Sequence, residues 1–358
     1  MERVMITGTT ARPTNERTDL ITVLLGTWLM LGLFLDGYAH TNFIDELESF
    51  LTPWHAVFYS GFIATALWVI WTIAGRLGEA GSLRGAVAPG YGLAAVGIVI
   101  FAVGGVGDSI WHTTLGIEQG VDALLSPTHL LLFLGIVLIM TTPIRAAHER
   151  SRGEVLDGLD RYSVILSTTL TTAILAFFFT YLWAPGRPWL AEQPYNGANG
   201  DGELFVALGI GAILISNLIL LGPLAAVLAR WRPPVGLATV TWIAVNVMTA
   251  AAFDLDLQLA MAVGAAGGLV ADVVIRVSGA GPSNRIGTLL TLTVSPIVAW
   301  SVYFLGVGMF GDLQWPPEIW AGAIVFAALS GAAMTTLSRP QSSPKPDGAM
   351  AGVTYADR

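Results

Sequence analysis

Two stretches of the chain carry the same arrangement of aspartate and histidine, and together they contain four of its five histidines. The six residues are Asp36, His40 and His55 in the first stretch and Asp108, His112 and His129 in the second. In each stretch the aspartate and the first histidine are four residues apart, and the second histidine follows a Thr-Pro or Ser-Pro pair by two residues. Imidazole nitrogens and carboxylate oxygens together are typical ligands of copper, iron and zinc. The pattern therefore predicts a transition-metal site.

The two stretches have the form of an internal repeat. The aspartate and the first histidine recur at one common offset, whereas the proline and the second histidine recur at a slightly larger one, so the second copy has the longer loop. An aspartate and a histidine four residues apart lie on one face of a helix. A hydroxyl residue followed by proline is a helix-start signal, which puts the second histidine in the first turn of the next helix. Each copy is thus predicted to be a helical hairpin with all its donors at one end.

Acidic residues in the two hairpin loops are further candidate ligands. Counting forward from the first histidine pairs Glu46 with Glu118, whereas counting back from the proline pairs Glu48 with Asp122. Both pairings stay open because the loops differ in length. We predict a dinuclear site, built from donors on neighbouring helices as in other bundles, with Glu46 and Glu118 added to the six repeat residues. Alternatively, each Asp–His pair is a local hydrogen bond in a structural membrane protein without metal.

The composition excludes a soluble enzyme. The chain has 358 residues, 54% of them hydrophobic and only 12% charged, whereas soluble domains have about 25% charged residues. It contains no cysteine, which excludes thiolate ligands and cysteine nucleophiles. A net charge of −8 without a basic run argues against nucleic acid, and the absence of a nucleotide-binding motif argues against nucleotides. An all-α, polytopic integral membrane protein remains, with the lipid bilayer as its partner.

Ten segments are apolar and long enough to cross a membrane as helices of about 20 residues. They are residues 20–39, 54–74, 90–108, 127–144, 162–183, 204–229, 234–254, 257–276, 286–309 and 317–337. With ten spans, all but one of the 17 Lys and Arg residues fall on the side of the two termini, and the exception is Arg187. Because positive residues stay on the cytoplasmic side, we expect cytoplasmic termini, a plasma-membrane location and a metal site on the outer face.

The ten spans also predict how the chain is organised. The regions are a cytoplasmic N-terminal segment (1–19), the duplicated hairpins of spans 1–2 and 3–4 with the metal site (20–144), a cytoplasmic loop (145–161), a six-helix remainder (162–337) and a cytoplasmic tail expected to be disordered (338–358). The longest outer loop, 184–203, is placed either to cover the hairpins as a lid or to serve as a plain connection.

The repeated motifs carry one resemblance. They read Asp36-x3-His40…His55 and Asp108-x3-His112…His129. This pattern resembles the Asp-x3-His…His copper motif in the C subunit of the particulate methane and ammonia monooxygenases. The similarity covers only these short motifs, and the duplication, the ten spans and the longer spacing to the last histidine depart from that family. It implies copper as a candidate metal and favours oxidation over hydrolysis.

Two functional classes follow from a His/Asp metal site in a membrane protein. The first is an enzyme, an oxidoreductase or a hydrolase, that acts on an apolar or lipidic small molecule and uses bound copper, iron or zinc. The second is a transporter or metal-handling protein that captures a cation or small solute outside and passes it inward. That reading requires ionisable residues through the middle of the membrane, and the first four spans have almost none.

Overall fold

The computed structural model describes residues 12–43, 52–116, 118, 120–151, 153–195 and 202–337. Within these residues the chain is helical, with two isolated backbone bridges and no β-strand, so the all-α prediction is confirmed. The predicted ligand Glu46, its alternative Glu48 and the tail 338–358 lie outside the described residues.

The described chain forms α-helices joined by short connections. They are α1 (Glu16–Asn42), α2 (Pro53–Ala74), α3 (Leu77–Ala80), α4 (Leu83–Ala86), α5 (Gly92–Leu115), α6 (Val121–Leu125), α7 (Pro127–Met140), α8 (Thr142–Arg150), α9 (Asp160–Phe178), α10 (Trp189–Glu192), α11 (Gly202–Leu228), α12 (Leu237–Ala252), α13 (Leu257–Ser278), α14 (Arg285–Phe310) and α15 (Pro317–Leu337). A 3₁₀ turn, Thr180–Leu182, follows α9.

Nine segments of the described chain are long and apolar enough to cross a membrane, where ten were expected. In two of them a long helix runs on into a shorter one, α2 into α3 and α7 into α8. The difference lies at the expected seventh span, where α12 has only 16 residues. At 1.5 Å per residue it is about 24 Å long, which is less than the roughly 30 Å of a bilayer core.

The connections between successive long helices alternate between two ends of the bundle. One end, called the site end, holds the contact between Asp36 near the end of α1 and His55 at the start of α2. The other, called the basic end, holds the contact between Asp19 near the start of α1 and Arg150 at the end of α8. The helix directions place every described arginine except Arg187 at the basic end.

A buried network joins four helices at the basic end. The Asp19 carboxylate, which is 0% exposed, accepts hydrogen bonds from Arg150 at 2.7 Å and from Tyr91 and Thr14 at 2.8 Å each. Arg150 also forms an ion pair with Asp160 at the start of α9. Burial and the neighbouring Asp19 raise the pKa of Tyr91, so its hydroxyl keeps the proton that it donates. A buried carboxylate is tolerated only with such partners.

Glycines bring the helices of the first hairpin, α1 and α2, into backbone contact. A Cβ atom at Gly32 would lie 2.6 Å from the Cα atom of Phe58, and one at Gly61 would lie 2.6 Å from the Cα atom of Leu29. Neither position has room for a side chain, because backbone atoms cannot move aside as a flexible side chain can. The two glycines therefore set the spacing and register of α1 against α2.

The second hairpin, α5 and α7, has the same kind of contact. A Cβ atom at Gly104 would lie 3.0 Å from the backbone nitrogen of Leu132, and one at Gly135 would lie 2.9 Å from the backbone nitrogen of Phe101. These glycines follow those of the first hairpin by the same two offsets along the chain that relate the metal-ligand candidates. The four glycines thus occupy corresponding packing positions in the two helix pairs.

Candidate metal centre

The first donor group lies where α1 ends and α2 begins. Asp36 Oδ2 is 3.9 Å from His40 Nε2 and 3.7 Å from His55 Nε2. One ligand atom from each of these residues lies within 4.8 Å of the other two. Metal–ligand bonds to nitrogen and oxygen are about 2.0–2.2 Å long, so two donors on one ion lie at most about 4.4 Å apart. The three side chains could therefore hold one metal ion after small rotations.

The second donor group lies where α5 ends and α7 begins, and it is tighter and more buried. Asp108 Oδ1 is 3.3 Å from His112 Nε2 and 2.9 Å from His129 Nε2. Glu118, in the connection between the helices, places Oε2 3.5 Å from the same His112 nitrogen. Only 1% of the Asp108 side chain is exposed. This group could hold a metal ion with two imidazoles and up to two carboxylates.

Hydroxyl groups orient one imidazole in each group. Thr52 caps α2 and accepts a hydrogen bond from the backbone nitrogen of His55 at 3.1 Å, and its Oγ1 also lies 3.0 Å from His55 Nδ1. Ser126 caps α7, with its Oγ 2.9 Å from His129 Nδ1. When Nδ1 carries the proton and donates it to the hydroxyl, Nε2 presents its lone pair towards the aspartate. That tautomer is the one that a metal ion requires.

The two groups adjoin each other through His112. Its ring centroid lies 5.9 Å from that of His55 and 6.4 Å from that of His40, both in the first hairpin. It also lies 5.9 Å from the ring of His129 in its own hairpin. The four repeat histidines thus form one cluster at the site end.

Tyr59 links the two groups directly and was not singled out by the sequence. It lies on α2, one turn after His55, with ring centroids 6.1 Å apart. Its hydroxyl donates a hydrogen bond across the hairpins to Asp108 Oδ2 at 3.2 Å. The available signal was its position four residues after a candidate ligand, which puts both side chains on one helix face.

A cavity of about 570 Å³ opens beside the cluster, within the size range of small-molecule sites. The residues that line it include the donor side chains of both groups except His112, together with Glu118. The remaining lining is mainly apolar and comes from α1, α7, α9 and the residue that follows α12, through Leu33, Leu132, Ile136, Phe177, Phe178 and Phe253. The arrangement can place an apolar molecule against two adjacent metal-binding groups.

The connection after α9 supplies an arginine to the lining of this cavity. Arg187 lines the cavity, and its NH2 donates a hydrogen bond to the backbone oxygen of Thr180 at 3.0 Å. Burial lowers the pKa of its guanidinium, which nevertheless stays charged at neutral pH. The neighbouring Ala184 and Leu190 are buried, so the described part of the expected outer loop packs into the bundle.

The structure brings together seven of the eight predicted ligands. They are Asp36, His40, His55, Asp108, His112, Glu118 and His129. The eighth, Glu46, is outside the described residues. Asp122, the alternative to Glu118, lies exposed on α6, and none of its atoms lines the cavity. Glu118 therefore lies beside the second donor group and Asp122 does not. The pairing of the two loops stays open, because Glu46 and Glu48 lie outside the described residues.

Comparison with protein-family models, curated proteins and solved structures finds no match for this chain. The likeness to the monooxygenase copper motif therefore rests on the short motifs alone.

Replacing Thr52 by valine removes both hydrogen bonds that orient His55. We expect Thr52→Val to weaken metal binding by about 10–100-fold, the usual effect of losing a group that orients a histidine ligand. Thr52→Ser keeps the hydroxyl and should retain the affinity of the unmodified protein. Competition titration of the purified protein against a chromophoric chelator measures the metal affinity of each variant. Equal affinity in the two variants would show that the hydroxyl does not orient a ligand.

Proposed function

We propose that this chain is a membrane metalloenzyme that binds two transition-metal ions at the site end and oxidises an apolar substrate in the adjoining cavity. The observation that supports this most is that two His/His/Asp groups border a single cavity whose remaining lining is mainly apolar. A site that only binds cations from water would not explain the apolar lining. A purely structural role of the histidines would not explain the cavity.

Metal binding would compensate the unpaired polar atoms and the carboxylate charges of the cluster. Asp36 Oδ1 and His40 Nδ1 are buried without a hydrogen-bond partner among the described residues, and an unpaired buried polar atom costs free energy. No described Lys or Arg forms an ion pair with Asp36 or Asp108. A bound divalent cation would neutralise both carboxylates inside an apolar bundle.

The two ions would have different roles. The Asp108 group has a fourth donor in Glu118, and its His112 is not among the residues that line the cavity. In the Asp36 group all three described donors line the cavity. Closed four-ligand sites are typical of tightly held metal, whereas catalytic sites keep a coordination position open. We therefore assign the substrate-facing role to the Asp36 group.

Oxidation suits a site of this composition. Bound copper or iron would supply redox chemistry, dioxygen would supply one oxygen atom to the substrate, and a membrane quinol would supply two electrons while the second oxygen atom leaves as water. The chain's own part is to hold the ligands through Thr52 and Ser126, to bind the substrate chain and to exclude water with the aromatic side chains of α9.

Transport is less consistent with the hairpins. A cation leaving the cluster for the basic end would need ionisable or polar partners along its way. In α2 no Asp, Glu, Lys, Arg or His follows His55, and α7 has none after His129. The next charged cluster is the Asp19–Arg150 network at the far end of α1.

The site end should face the cell exterior and the basic end the cytoplasm, because arginines concentrate at the latter. The chain has no cysteine, so single cysteines can report the orientation. Leu115→Cys lies at the site end and Val235→Cys at the basic end, and both side chains are exposed. A membrane-impermeant maleimide added to intact cells should label only the first. Labelling of the second alone would invert the proposed topology.

Metal content tests the centre itself. Purified protein should carry about two equivalents of copper, iron or zinc by elemental analysis, and the double variant His40→Ala/His112→Ala should lose them, because one imidazole is removed from each group. His148→Ala is the matched control, since this fifth histidine lies at the basic end beside Arg230. Unchanged metal content in the double variant would refute the proposed ligand set.

Turnover tests the enzymatic part. With a quinol as reductant, a medium-chain alkane should stimulate oxygen uptake and yield the corresponding alcohol, detected by mass spectrometry. Leu132→Trp fills the cavity from α7 and should lower this rate at least tenfold while leaving the metal content unchanged. Full metal loading without oxygen uptake, or hydrolysis of a lipid-like ester instead, would overturn the oxidase assignment and leave a metal-binding membrane protein or a hydrolase.

A further inference from the structure

Arg187 is out of place among the charges of this protein. Every other described arginine lies at the basic end, yet Arg187 lies at the site end and lines the cavity beside the donor groups. No described carboxylate forms an ion pair with it. A half-buried guanidinium without a counter-anion is costly unless a ligand supplies one.

Two side chains that line the cavity, Arg187 and Thr180, have hydrogen-bond donors without a partner. The Nε of Arg187 is buried without a hydrogen-bond partner among the described residues, and so is the hydroxyl of Thr180. The segment itself is held in place, because the backbone oxygen of Arg187 accepts a hydrogen bond from Tyr303 at 2.7 Å. Fixed donors with unused N–H and O–H groups are what an anionic ligand requires.

We propose that Arg187 and Thr180 bind the anionic headgroup, a carboxylate or phosphate, of an amphipathic substrate whose single apolar chain lies along the apolar cavity wall. The inference rests on the proposed function, since it names the substrate class of the same cavity. It adds a specificity determinant that neither the repeat nor the donor groups contain: a cationic side chain in the same cavity as apolar side chains, among them Phe177 and Leu132.

Binding of dodecanoate tests the proposal, with dodecanol as the uncharged ligand of equal chain length. Tritiated dodecanoate bound to the detergent-solubilised full-length protein is measured by scintillation proximity, and dodecanol and acetate are used as competitors. We expect dodecanoate to bind at least about 10-fold more tightly than dodecanol, the usual value of a hydrogen bond to a charged group. Acetate, which lacks the chain, should not compete at millimolar concentration.

Substitution assigns the preference to its residue. Arg187→Gln should abolish the preference for dodecanoate while dodecanol affinity stays unchanged, which also shows that the cavity is intact. Arg17→Gln is the matched control, because Arg17 is exposed at the basic end. Its replacement should leave the affinities for dodecanoate and dodecanol unchanged. Should Arg187→Gln lose both ligands, Arg187→Lys decides: a retained preference for dodecanoate supports the proposal, and its absence refutes it.

A chelator separates this inference from the metal centre. If Arg187 and Thr180 recognise the anion, the preference for dodecanoate persists after metal is removed, whatever the metal assays report. Loss of the preference on chelation would mean that the metal, and not Arg187, binds the carboxylate. Equal affinity for dodecanoate and dodecanol in the unmodified protein would mean that no group in the cavity recognises the carboxylate. Competition by acetate as strong as that by dodecanoate would indicate a small-anion site. Each of these three results overturns the proposal.

Discussion

The burial of carboxylates inside an apolar helix bundle is the constraint on which this structure depends. Asp19 and Asp108 are both almost completely buried, and an isolated buried charge would be prohibitive. At the basic end a guanidinium, a phenol and a threonine hydroxyl surround Asp19, so the charge is neutralised by the protein alone. At the site end the partners of Asp108 are two imidazoles and Tyr59. Imidazoles are cationic only when protonated, and otherwise they are ligands, which makes this end suited to a cation from outside.

The helix packing explains how such a cluster can form from two hairpins. Gly61 and Gly135 allow the second helix of each hairpin to approach the first at backbone distance, and this fixes how far the helix-start histidine stands from the helix-end aspartate. Because the glycines recur along the chain at the same two offsets as the donors, one geometry serves both copies. The two donor groups differ in the hairpin loops, because Glu118 in the second loop adds a carboxylate to the second group.

Local signals in the sequence predicted much of this. The Thr-Pro and Ser-Pro pairs place the starts of α2 and α7 at Pro53 and Pro127, where the structure has them, and their spacing from the histidines predicted the proximity of the imidazoles. What could not be predicted depends on contacts between distant segments. Neither Tyr59 nor Arg187 lies in a motif, and the aromatic wall comes from α9, far along the chain. The length of α12 could not be predicted either, because the apolar composition of 234–254 does not reveal where the helix within it stops.

The short helix α12 has one more consequence. A 16-residue helix exposed to lipid would force the surrounding bilayer to thin, but α12 packs against α1, α9 and α13 and is largely buried. In the turn that follows α12, the backbone nitrogen of Asp256 donates a hydrogen bond to the oxygen of Gly186 at 2.8 Å. Gly186 is buried, so protein encloses this irregular backbone, as an apolar surrounding would require. Because the contact joins the turn after α12 to the connection that carries Arg187, a change in the length of α12 would also displace the cavity residues Phe253 and Arg187.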